Sequence, residues 1–302
     1  MSDTGGNLPT FVNIGPGRCG TSWLWEMLLA HPEVAMSRVK ETEYFNANTD
    51  KDIAWYRAFF PMPGKAVGEI SNMYYVEPDI GARLQAFDPD LKVIINLRRP
   101  EDLLLSYAQF AVRRGLVDAP IHAVDLPVGR VMGSGFNQKE ASGTLTAGDQ
   151  TGLVESVLLD RYVASVLRSF PSDQVFFLIY DRIEAEPEAL LADLFAFLGV
   201  DPTFQPESLH DKINASAVPR SRILARMASG GANVLRRTGA YGLLRALHRS
   251  TLVKKILLRG SPKADEIVQH WSLPATVRAD LDTATTTLLE KVPTLRSYWS
   301  VE

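Results

Sequence analysis

Cysteine is almost missing. Of 302 residues only Cys19 carries a thiol, so no internal disulfide can form and no oxidising compartment is implied. No apolar run approaches the roughly 18–20 residues of a membrane span. The opening stretch, Met1 to Pro9, is polar and glycine-rich and lacks the apolar segment of a secretory signal. Neither charge sign dominates: 32 Lys and Arg face 35 Asp and Glu, for a net charge of −3. With 46% hydrophobic and 22% charged residues, disordered, collagen-like and disulfide-scaffold classes fall away. What remains is a soluble protein, expected in the cytoplasm, long enough for one large core with an appendage.

The small net charge conceals an uneven distribution. From Lys212 to Lys263 there are twelve Lys or Arg and no Asp or Glu, which leaves −15 on the rest. Such a stretch fits contact with a phosphate-rich ligand, a lipid surface or nucleic acid. A solvated face that balances an acidic body would read the same way.

Strand and helix patterns alternate along the chain. Phe11-Val12-Asn13-Ile14 reads as a strand, then a Gly-rich turn, then a helix over Thr21–His31 with Leu24, Met27, Leu28 and His31 on one face. Lys92–Leu97 has almost no polar alternation, as in a strand covered on both faces. The helix after it carries Pro100 at its first position, Glu101 and Asp102 in its first turn, Arg113 and Arg114 in its last, and Gly115 beyond. Further on come a helix at about 153–169, a strand Val175–Tyr180, and a helix Pro187–Leu198 closed by Gly199. Weaker strands fall at Val34–Met36 and Ala66–Glu69. The alternation predicts a three-layer α/β fold with a mainly parallel sheet. Two regions break the rhythm. Residues 116–152, rich in Gly, Ser and Thr, read as a flexible insert of the lid or binding-loop kind. The basic region near 218–260 has helical apolar spacing.

The turn after the first strand reads Gly15-Pro16-Gly17-Arg18-Cys19-Gly20-Thr21-Ser22. Small residues let backbone approach an anion, and the next helix aims its free N–H groups at the same point. A Walker A loop would place Lys at position 21, where this chain has Thr. The one cation inside the loop is Arg18, so the loop suits phosphate but is poorly equipped for ATP or GTP.

Residues Gly15 to Pro32 resemble the 5′-phosphosulfate loop of the sulfotransferases that use 3′-phosphoadenosine 5′-phosphosulfate (PAPS). The resemblance continues in order through Lys40-Glu41-Thr42-Glu43-Tyr44-Phe45, Trp55-Tyr56, Phe59-Phe60, Gly68-Glu69-Ile70-Ser71 with Tyr74, and Val93 to Ser106. Phe195 to Val200 and Lys212-Ile213-Asn214 are weaker landmarks. The flavour is that of the carbohydrate and bacterial-type enzymes. It implies a P-loop-like α/β core over residues 8–215, with a basic helical extension over 216–302 packed upon it. PAPS is the implied sulfuryl donor, with no metal required and no nucleic-acid partner. The acceptor would be a small molecule, glycan or lipid.

Site roles follow from the resemblance. Arg18, Cys19, Gly20, Thr21, Ser22 and Trp23 would bind the 5′-phosphosulfate, with Arg18 offsetting the charge that develops on the leaving group. Arg98 and Ser106 would hold the 3′-phosphate, Arg99 being the alternative arginine. Arg220 or Arg222 would close over the same phosphate. Glu41 matches the family's general base; Glu43 is the runner-up and His122 a third candidate. His31 is expected in the core or at a cap. Many carbohydrate sulfotransferases carry a lysine where this chain has Ile70, so another cation, with Lys40 the candidate, would have to serve. The helices expected around 234–258 suggest a basic, partly apolar surface for peripheral membrane contact. Competing readings are a P-loop kinase with Asp181 on Mg²⁺, and a non-catalytic nucleotide-binding module.

Overall fold

The computed structural model describes residues 7–113, 126–132, 147–210, 217–219, 258–260 and 273–299. Five strands form the central sheet: β1 Phe11–Asn13, β2 Val34–Met36, β3 Ala66–Ile70, β4 Lys92–Leu97 and β5 Val175–Ile179. All neighbours pair in parallel, in the order β2-β3-β1-β4-β5. Parallel pairing demands crossovers, and the helices α1 Thr21–Ala30, α3 Ile80–Phe87, α4 Pro100–Arg113 and α8 Leu159–Ser169 supply them. The short α2 Ile53–Arg57 leads toward β3. Because β1 lies between β3 and β4, the chain reverses direction across the sheet there. The crevice beyond the carboxyl end of β1 is therefore where such folds collect ligands.

Alternation along the strands divides the core in two. Phe11, Ile70, Ile94 and Leu178 face a layer made by Trp23, Leu24, Met27 and Leu28 of α1 and by Leu190, Leu194 and Phe195 of α10 (Pro187–Leu198), which follows the short α9 Arg182–Ala185. Val12, Val67, Val93 and Ile95 face the opposite layer of α3, α4 and α8. Helix α11, Ala275–Lys291, joins that second layer through Leu281, Leu288 and Leu289. The three-layer architecture with a parallel sheet is thus the observed one.

Gly68 shows how tightly β1 and β3 are fitted. It pairs with Phe11, and a Cβ built on it would lie 2.4 Å from the Phe11 ring. Both residues sit inside the sheet, with no room for the ring to yield. Gly68→Ala is expected to destabilise the protein by about 1–3 kcal/mol through overpacking. A lowered urea midpoint at unchanged slope would register it, and an unchanged midpoint would contradict it.

Two expectations need amendment. The helix expected over about 153–169 breaks at Leu158 into α7 Leu153–Val157 and α8. Ser156 Oγ donates to the Leu153 carbonyl at 2.7 Å and the Leu158 N–H to Glu155 at 3.2 Å, which tightens and ends the first piece. The insert expected to be structureless is anchored at both ends. Helices α5 Val128–Met132 and α6 Ala147–Gln150 are tied by a Pro127–Gly152 bridge, and Val128 and Val131 are fully buried. The basic region is described only at its ends, where β6 Ala217–Pro219 pairs antiparallel with β7 Leu258–Gly260. Pro219 is tolerated there because each strand of a two-stranded ribbon is an edge. The surface expected over 234–258 and the residues Arg220, Arg222 and His122 lie outside the described residues. Among the described residues, no helix is long and apolar enough to cross a membrane.

Candidate active site

The loop between β1 and α1 is built on two buried asparagines. Asn13 ends β1 and Asn96 stands in β4, both fully buried, and Asn13 Nδ2 donates to Asn96 Oδ1. From this pair the loop is held at two points: Asn13 Oδ1 accepts the Gly15 N–H at 3.1 Å, and Asn96 Nδ2 donates to the Cys19 carbonyl at 2.7 Å. Gly15 is obligatory, since its φ is +98° and a Cβ there would stand 2.3 Å from the Asn72 carbonyl oxygen. Left-handed Gly20 precedes α1. The Leu24 N–H donates to the Gly20 carbonyl, so the amides of Thr21, Ser22 and Trp23 have no carbonyl within the helix and point into the loop. Such a backbone arrangement is a cradle of the kind that suits an anion.

Two of the expected binding residues, Ser106 and Arg98, converge on Arg18. Its Nε donates to Ser106 Oγ at 3.2 Å and its guanidinium lies 5.0 Å from the Phe110 ring, both partners coming from α4. Arg98, just past β4, donates from Nη1 to the Arg18 carbonyl at 3.1 Å and packs on Tyr180 at 4.4 Å. Strand β4 and helix α4 thus deliver Arg98 and Ser106 to the loop from 80 and 88 positions away. Arg99 serves the start of α4, where its carbonyl accepts the Leu103 N–H.

Two expected residues contribute backbone alone. The Cys19 thiol is fully buried, and burial pushes it up to about 12 against the opposing pull of Arg98 and Arg18; it is an inert packing group. The Trp23 ring lies in the core between α1 and the sheet, with its Nε1–H on the Leu209 carbonyl at 3.4 Å. His31 is structural, as expected: it caps α1, contacts the Asp201 carbonyl and the Glu33 N–H, and meets Phe195 and Phe204 edge-on.

The second half of the site is the segment after β2. Lys40 reaches back to the cradle, its Nζ 3.1 Å from Thr21 Oγ1 and 3.4 Å from Ser22 Oγ. The same ammonium is 3.8 Å from Glu41 Oε1, and the two side chains are only 23% and 12% exposed. The other oxygen, Glu41 Oε2, accepts the Asn72 N–H at 2.6 Å. Burial raises the Glu41 carboxyl to about 7; Lys40 and the Asn72 amide oppose the rise, while Glu43 and Glu69 add to it. Burial likewise lowers Lys40, opposed by Glu41. A carboxyl poised near neutrality beside a cation and an anion cradle is equipped to take a proton. Glu43 sits deeper, 3% exposed, with its amide on Ser71 Oγ. Ile70 is fully buried toward the α1 layer.

The profile of the sulfotransferase domain family matches residues 9–220, a span that includes the whole arrangement just described. The chain belongs to the sulfotransferase domain family. Two human relatives of this sulfotransferase domain are heparan sulfate glucosamine 3-O-sulfotransferase 3B1 and bifunctional heparan sulfate N-deacetylase/N-sulfotransferase 2. The first is 28% identical over 196 residues, 64% of this chain and 46% of the relative. The second is 27% identical over 209 residues, 65% of this chain and 22% of the relative. The chain therefore spans less than half the length of these relatives. A sulfotransferase from Alicyclobacillus acidocaldarius shares the fold, with a TM-score of 0.56 at 21% identity, covering 82% of this chain and 99% of that one.

The sulfotransferase domain family uses PAPS as donor, and the residues present fit that group. The backbone cradle and Arg18 suit a 5′-phosphosulfate, and Arg98 supplies a further guanidinium at the carboxyl end of β4. Asp181, the carboxylate a kinase would need for Mg²⁺, accepts the Trp299 indole N–H at 3.0 Å. Among the described residues no cluster of three or more His, Cys, Asp and Glu could hold a metal. The asparagine pair and Glu69 were the scaffold residues missed in the sequence. Their signal was a polar residue inside an otherwise apolar strand, at Asn13 in FVNI, Asn96 in KVIINL and Glu69 in AVGEI.

Proposed function

We propose that this chain transfers a sulfuryl group from PAPS to a hydroxyl of a carbohydrate, lipid or specialised-metabolite acceptor, with Glu41 as general base. The observation that carries the reading is Lys40, which spans the loop hydroxyls of Thr21 and Ser22 and the Glu41 carboxylate and so joins the two halves of the site. When bound, PAPS supplies a sulfuryl group on a 5′-phosphate that gathers negative charge as the S–O bond breaks. Arg18 offsets that charge. Its guanidinium is already oriented by Ser106 and Phe110, so little is lost in arranging it. Arg acts here as an electrostatic clamp, being a poor proton donor. The amides of Thr21, Ser22 and Trp23 receive the same phosphate. Glu41 takes the acceptor proton at Oε1 while the Asn72 N–H fixes Oε2. Lys40, within reach of both the cradle and the base, is the cation that serves where position 70 carries isoleucine. Relatives named for 3-O- and for N-sulfation support glycan acceptors as the first class to try.

Thermal unfolding with 3′,5′-bisphosphoadenosine (PAP) against ATP–Mg²⁺ tests the donor assignment. PAP at a hundred times its Kd should stabilise the fold by about 2.7 kcal/mol, with a smaller effect from ATP–Mg²⁺. Stronger stabilisation by ATP–Mg²⁺, or none by either, would overturn it. Radiolabelled PAPS offered with heparan-type oligosaccharides, hydroxylated lipids and phenols then sorts the acceptor class by which product carries label.

A further inference from the structure

Glu69 lies in β3, fully buried, and is surrounded by hydroxyls. Its Oε2 accepts from Thr42 Oγ1 and, at 3.0 Å, from Ser71 Oγ. Its Oε1 accepts from Tyr56 OH at 2.6 Å and Tyr74 OH at 3.1 Å. Four donors fill the four lone-pair sites of a carboxylate. Three of these hydroxyls also hold the segment that bears Glu41. Thr42 belongs to it; Ser71 Oγ accepts the Glu43 N–H at 3.4 Å; Tyr74 OH accepts the Phe45 N–H at 3.3 Å. The segment needs holding, because Glu41 and Glu43 both sit at positive φ, +66° and +53°, where non-glycine residues are strained and persist only under external constraint.

We propose that Glu69 is a positioning residue for the sulfuryl-transfer reaction, its carboxylate acting through Thr42, Ser71 and Tyr74 to keep the strained Lys40–Phe45 segment in the one conformation that presents Glu41 to the acceptor. This rests on Glu41 being the base. Glu69 touches neither the cradle nor Arg18, and its struts hold the segment at Thr42, Glu43 and Phe45, whereas Lys40 has its own anchor on Thr21 and Ser22; its effect therefore falls first on the base and far less on donor binding. The charged groups facing Glu41 are Lys40 and Glu43 on its own segment and Glu69 from β3, with the Asn72 N–H from the turn beyond. Glu69→Gln keeps the shape, removes the negative charge and replaces one acceptor oxygen by an NH₂ that must face hydroxyls.

The test uses the full chain with PAPS and water as acceptor, following PAP release, alongside NMR titration of ¹³C-labelled glutamate carboxyls. The Glu41 signal is assigned by its loss in Glu41→Gln. Glu69→Gln should lower PAP release by roughly tenfold or more and leave PAP affinity within about twofold of wild type. It should also move the Glu41 midpoint to lower pH, since a neighbouring negative charge has gone. Wild-type turnover, an unmoved Glu41 midpoint, or an equal loss of PAP affinity would each overturn the inference. Should Glu69→Gln not fold, Tyr74→Phe and Ser71→Ala each remove one strut without changing charge. Each should slow PAP release by roughly threefold or more, and wild-type rates in both would overturn the inference. Glu41→Gln in parallel separates the two claims. Full activity there ends the base reading itself, whereas a dead Glu41→Gln beside an unaffected Glu69→Gln ends only this one.

Discussion

Glu41→Gln is expected to lower sulfuryl transfer by about 10²–10⁴-fold while PAP binding, read by thermal shift, is unchanged. The amide keeps the size of the side chain and can still accept the Asn72 N–H, but it cannot take a proton. The same assignment sets the pH profile of the wild type. Burial has raised this carboxyl to about 7, and only its ionised form is a base. Activity should fall as pH drops through about 7 and level off above it. Lys40→Met should move that fall to higher pH, because the ammonium opposes the rise in Glu41. Near-wild-type turnover in Glu41→Gln, or a rate flat from pH 5 to 9, would sink the assignment.

The second large effect is expected at Arg98. If its guanidinium receives the 3′-phosphate, Arg98→Ala should weaken PAP by about 1.5–3 kcal/mol, as for hydrogen bonds to charged groups, or roughly 10- to 100-fold. Affinity for 5′-AMP, which lacks that phosphate, should change little. Isothermal titration of both nucleotides into both proteins separates this from a second possibility that the geometry raises. Arg98 also donates to the Arg18 carbonyl. Were that its whole role, PAP and 5′-AMP would weaken together, and an equal loss for both would refute the phosphate assignment.

Local pattern carried much of the architecture. The apolar run Lys92–Leu97, the Pro100 start and the Gly199 stop each predict an element that the structure contains, because burial on both faces and cap chemistry are written in consecutive residues. The Leu158 break was not legible that way. Apolar spacing continues across it, and the break follows from which carbonyl Ser156 finds. The anchored ends of the insert were hidden for a related reason. Glycine and serine density says nothing of Val128 and Val131, whose burial depends on where α4 lies.

The site divides in the same manner. Consecutive residues suffice to identify the cradle, Gly15 to Ser22, since glycine at positive φ followed by a helix start is a local device, and Lys40-Glu41 stands out as an ordered neighbour in the family pattern. Their chemistry is another matter. Glu41 is a plain carboxylate in a peptide; it becomes a carboxyl poised near neutrality only when β3 buries it beside Glu69, with Lys40 and the Asn72 amide opposing the rise. Arg18 and Ser106 are 88 positions apart and meet because parallel strands force long crossovers that return each carboxyl end to one rim. Short-range order therefore names the groups, while desolvation and charge proximity, which exist only once distant strands are packed, decide what those groups can do.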